Sequence, residues 1–171
     1  MRFPSDPSKS TKIAVCGVLT ALALIFAYIE VMLPLPIGIP GIKLGIANIV
    51  VLVAMYAVGE RYAFAVNLAR IALVALLFGS MFSALYALCG ALLSFAVMAG
   101  LKKTGIFSPA GVSMAGGVFH NMGQLAAACV IMQTAGVMYY FPVLLFSGMA
   151  CGIGIGILAA VILRALGVKA D

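Results

Sequence analysis

His120, Asn121 and Gln124 stand together inside an otherwise apolar run, and His120 is the only histidine of the chain. An imidazole and two amides offer hydrogen-bond donors and acceptors, but no nucleophile–base–orienter set. His120 and Gln124 are four apart and share one helix face, with Asn121 beside them. Such groups are costly in hydrocarbon unless they meet a cavity or a partner helix. A binding-site wall and an interhelical hydrogen-bond network both answer that need. A second polar pair, Asn67 and Arg70, lies in another apolar run. An arginine at mid-membrane costs roughly 2.5–3.5 kcal/mol on insertion scales, so something must pair with it. Glu30 is the one acid inside an apolar run and the candidate ion-pair partner. The alternative is that Arg70 anchors the anionic part of a ligand. Lys43 and Asn48, where a further run begins, complete the candidate binding set of Lys43, Asn48, Asn67, Arg70, His120, Asn121 and Gln124.

No other residues offer an obvious chemistry. Cys16, Cys89, Cys129 and Cys151 each stand alone, without CxxC or CxH spacing, so no metal site is expected and they read as small buried hydrophobes. No Walker A motif occurs, so any ATP would be hydrolysed by a partner. No catalytic residue is assigned, no cofactor is required, and the chain reads as a non-enzyme.

The elements that hold these residues follow from composition. Of 171 residues 65% are hydrophobic, against four acids and ten bases, with a mean hydropathy of +1.27. That is too little polar material to cover a water-soluble domain, so the lipid bilayer is the expected solvent. Six apolar segments read as spanning helices over about 13–33, 44–58, 62–78, 81–101, 112–134 and 141–166, after a polar lead over 1–12. They predict an all-α integral membrane bundle in a single domain, 1–171. A β-barrel would show short alternating strands instead. The second and third segments are short for a span. The first is longer than a signal-peptide core and runs into Pro34-Leu35-Pro36, so no cleavage is expected.

With the amino terminus inside, the inner segments hold Arg2, Lys9, Lys12, Arg61, Lys102, Lys103, Arg164 and Lys169, and the outer ones hold Lys43. This places both termini in the cytoplasm of a bacterial cell membrane. The bases flank the spans and form no continuous basic face, so nucleic acid is not an expected partner. Between the first two segments, Pro34–Lys43 carries prolines and glycines that forbid regular helix, yet it is apolar. It reads either as a lipid-interface connection or as a flap over a cavity. Ala23-x-x-x-Ala27 and Gly148-x-x-x-Gly152-x-x-x-Gly156 are small-residue stripes that let helices approach closely, within this chain or with a partner.

Three stretches together carry a resemblance: Gly41-Ile42-Lys43-Leu44-Gly45-Ile46-Ala47-Asn48, Asn67-Leu68-Ala69-Arg70, and Gly116-Gly117-Val118-Phe119-His120-Asn121-Met122-Gly123-Gln124. The chain resembles the Gx transporter family, also called heptaprenyl diphosphate synthase component I, over nearly its whole length. That family looks like the substrate-binding S components of energy-coupling factor (ECF) transporters. The resemblance implies a six-helix bundle and an outward-facing pocket, with a mobile loop where Pro34–Lys43 stands. It implies uptake of a small vitamin- or cofactor-like solute, with flavin or redox-cofactor supply as a pointer. It also implies an ECF coupling membrane subunit and ATPase subunits as partners, with Ala23 and Ala27 on the face toward the coupling subunit. The family's second name implies a different role, a membrane accessory subunit of a synthase. Prenyl diphosphate synthesis needs clustered carboxylates to hold Mg²⁺. Here the aspartates are Asp6 and Asp171, at opposite tails.

Overall fold

A computed structural model describes residues 8–32, 45–78 and 81–168. Lys43 and all but the last residues of the flanking Gly41–Asn48 stretch, with the expected flap, lie outside the described residues, as do Arg2 and Lys169. The described residues are helical, without a strand: α1 Lys9–Met32, α2 Ile46–Ala57, α3 Glu60–Phe78, α4 Met81–Thr104, α5 Pro109–Met132 and α6 Phe141–Ala165, with a 3-10 turn Ala135–Tyr140 before α6. Each expected segment is found, and the ends shift by a few residues. Capping explains one shift. Ser108 accepts the Gly111 N–H and Pro109 supplies the first helical position, so α5 starts ahead of its apolar run.

Five helices are long and apolar enough to cross a membrane. The exception is α2. Its 12 residues rise about 18 Å, well short of a hydrocarbon core of about 30 Å. Residues Ile49 to Met55 are all buried, so α2 is an inner core helix rather than a lipid-facing span. Around Val51, Leu52 and Met55 gather Phe95 and Met98 of α4, Val112 of α5 and Ala159 and Leu163 of α6. Many large apolar side chains are exposed, Val18, Leu76, Met81, Val130 and Phe146 among them, as expected of a surface in contact with lipid.

The glycine stripe of α6 meets α5 inside this chain. A Cβ at Gly148 would lie 2.8 Å from the Gly117 carbonyl oxygen, one at Gly152 2.6 Å from that of Ser113, and one at Gly156 2.5 Å from the Ala110 Cα. Gly90 of α4 and Gly123 of α5 make a similar close approach on the other side of α5. Glycine at these crossings lets α5 sit between its neighbours at backbone contact.

The small pair of α1, open in sequence to a helix of this chain or to a partner, packs within this chain. Ala23 and Ala27 are buried, because α1 packs on α2 and α3 through the face that carries this pair. Its outer face carries Ala14, Gly17, Val18, Ala21, Leu22 and Ile25.

Candidate functional site

A cavity of about 170 Å³ opens in one half of the bundle, and all six helices contribute to its wall. The polar side chains facing it include Glu30, Asn48, Arg70, His120, Asn121 and Gln124. Expected residues from four separate helices are thus brought together, although the longest separation between them approaches a hundred positions. A second cavity of about 30 Å³ adjoins the first and shares Asn48 and His120 with it. Asn67 lies in that smaller space. Its role is indirect: its Oδ1 accepts Arg70 Nη2 at 2.9 Å, one helical turn away on α3.

Arg70 has a sparse set of partners for a guanidinium inside a membrane bundle. Asn67 is its hydrogen-bond acceptor among the described residues, and its buried Nε has none. The direct Glu30–Arg70 ion pair is not formed. The close ion pairs among the described residues join Glu60 to Lys102 at 4.0 Å and to Lys103 at 3.4 Å. Glu30 Oε1 instead accepts the Ile46 N–H at 2.9 Å. A carboxylate there also suits the positive N-terminal end of the α2 dipole. The preceding residue, Gly45, has φ 71°, a left-handed turn open to glycine at little cost. Glu30 therefore fixes where α2 begins and lines the same cavity as Arg70.

The α5 residues divide between the two roles open to them. Asn121 Nδ2 donates to the Leu144 carbonyl of α6 at 2.7 Å, an interhelical tie. His120 and Gln124 pack beside Gly90 of α4, where a Cβ would meet the His120 carbonyl oxygen and Gln124 Cγ, each at 2.8 Å. A residue with a side chain at 90 would push both out of place. Below them Ser94 Oγ donates to the Gly116 carbonyl at 2.8 Å and ties α4 to α5.

Sequence reasoning missed part of the wall. Ser147, Gly148, Cys151 and Gly152 of α6 line the cavity, although the glycines read only as a packing stripe and Cys151 as a buried hydrophobe. The available signal was Ser147 directly ahead of the stripe: a face narrow enough for backbone contact leaves room beside it. Apart from Glu30 and Arg70, the charged residues in ion pairs and ring contacts collect at the other end of the bundle. There Lys102 Nζ donates to the Met55 carbonyl at 2.7 Å and Lys12 sits 5.9 Å from the Tyr62 ring centroid.

Long apolar helices around a polar, charge-bearing cavity define a multi-pass membrane protein. Residues 19–162 match the family model described as heptaprenyl diphosphate synthase component I. The chain belongs to that family, as the resemblance of its Asn67–Arg70 and Gly116–Gln124 stretches implied. Neither the curated proteins nor the solved structures yield a match.

Proposed function

We propose that this protein is a substrate-capturing membrane subunit, similar to the S component of an ECF importer. It takes a small vitamin- or cofactor-precursor-like solute into the 170 Å³ cavity. The observation that carries this reading is Arg70: a guanidinium in the cavity wall, hydrogen-bonded to Asn67 among the described residues, with a buried Nε that has no partner among them. An arginine left so under-bonded in a lipid-embedded bundle is stabilised when an anionic group arrives. His120, Gln124 and Asn48 then supply hydrogen bonds around it, and Lys43 belongs to the proposed set from its place ahead of α2.

Orientation supports uptake. Among the described residues Lys9, Lys12, Arg61, Lys102, Lys103 and Arg164 lie at the helix ends away from the cavity, and the positive-inside rule puts that end in the cytoplasm of a bacterial cell membrane, with both termini inside. The cavity then faces outward. The chain has no ATP-binding motif, so import needs an ECF coupling membrane subunit and ATPase subunits. The protein itself is a non-enzyme on this reading and requires no cofactor.

The family description favours a second reading, an accessory subunit of heptaprenyl diphosphate synthase. Its four acids are Asp6, Glu30, Glu60 and Asp171, too scattered to hold a magnesium diphosphate, so catalysis on this reading belongs to a partner. One purification separates the two. Tagged protein is isolated from native membranes in mild detergent. Released small molecules are identified by absorbance and mass spectrometry, and co-purifying proteins by sequence. A bound solute lost on Arg70→Ala, with the variant still folded, supports capture. A ligand-free protein that brings down a soluble, aspartate-rich synthase overturns it.

A further inference from the structure

Two opposite charges face the same cavity without touching. Opposite charges in a low-dielectric site close on one another unless each is held elsewhere, and here each is held. Glu30 is fixed by the Ile46 N–H at 2.9 Å and Arg70 by Asn67 Oδ1 at 2.9 Å. Both side chains line that one cavity, together with Cys151. The wall therefore presents one negative and one positive pole across a single space. An acid-only solute on Arg70 would leave Glu30 facing it with like charge, whereas a solute with both poles satisfies both walls.

Volume narrows the class further. Cavities of about 150 Å³ accept one benzene-sized ring, and this one is about 170 Å³. The cavity is partly open, and a solute of single-ring size fits within its walls.

We infer that the captured solute is a small zwitterion of single-ring or amino-acid size, its acid group on Arg70 and its protonated amine on Glu30. This rests on the capture reading above and narrows it.

The test uses the full-length protein in native membranes, as wild type, Glu30→Gln and Arg70→Lys. Glu30→Gln keeps a carbonyl oxygen for the Ile46 N–H, so the start of α2 is preserved. Small molecules released from each purified protein are derivatised separately with an amine reagent and by esterification, then read by mass spectrometry in both polarities. The expected result is a wild-type ligand that reacts with both reagents. Its retained amount should fall about tenfold or more in each variant, the loss of one charge-assisted hydrogen bond.

A ligand with acid groups only, retained or enriched in Glu30→Gln, overturns the zwitterion and leaves capture standing. A dipolar ligand indifferent to Glu30→Gln overturns the role of Glu30. No ligand in the wild type removes the capture reading and this inference with it. The wild-type identification decides the class even where a variant fails to fold.

Discussion

Gly152→Ala probes the seam on which the cavity is built. The added methyl would stand 2.6 Å from the Ser113 carbonyl oxygen and 2.7 Å from the Met114 Cα. Both are backbone atoms of α5, so no side chain can swing aside, and α5 and α6 must part by nearly an ångström. Overpacking of this kind costs about 1–3 kcal/mol. For a chain of this size 1 kcal/mol corresponds to about 2–4 °C in Tm, so a fall of roughly 2–12 °C is expected.

The control is Gly154→Ala on the same helix, where a Cβ meets nothing within 4 Å. There alanine gains helix propensity of up to about 1 kcal/mol, and Tm holds or rises. Thermal melts of both variants in one detergent, with size-exclusion profiles before heating, make the comparison. If Gly152→Ala melts with Gly154→Ala, the backbone contact between α5 and α6 is not as described. If Gly152→Ala keeps its Tm but changes oligomeric state, the stripe serves a dimer instead.

Lys102→Met removes the 2.7 Å bond to the Met55 carbonyl that ties α4 to the end of α2, together with the link to Glu60. A loss of about 1.5–3 kcal/mol is expected, the range of a hydrogen bond to a charged group, and melting in detergent measures it; an unchanged Tm would show that the tie contributes nothing. In protein carrying Cys16→Ala, Cys89→Ala and Cys129→Ala, the remaining Cys151 lines the cavity and should react with a small charged methanethiosulfonate. Bound solute should slow that reaction, and labelling at the same rate with and without the solute would place the ligand elsewhere.

How far the chain reveals itself depends on which physical quantity is asked for. Hydropathy and length were enough to find all six helices, because burying backbone in lipid demands continuous apolar helix. The same reasoning gave α2 as a span, since a core helix and a lipid-facing helix are both apolar all round. Helical spacing correctly placed His120 and Gln124 on one face. It offered no way to learn that the neighbour across from them was Gly90 of α4, or that Asn121 would tie to the Leu144 carbonyl. Glu30 and Arg70 were recognisable as expensive residues needing partners. Their actual partners are a helix N-terminus and an asparagine one turn away.

Apolar runs and their few polar interruptions are enough to establish a multi-pass membrane protein, where its helices run, and which polar residues need accounting for. Those follow from the cost of polar atoms in hydrocarbon, which acts on each residue where it stands. The tertiary structure alone decided that Glu30, Asn48, Arg70, His120 and Gln124 share one cavity with the α6 glycines, that Ala23 and Ala27 turn inward, and that the two charges are held apart. Those depend on which faces meet, and a face's periodicity carries no record of its partner.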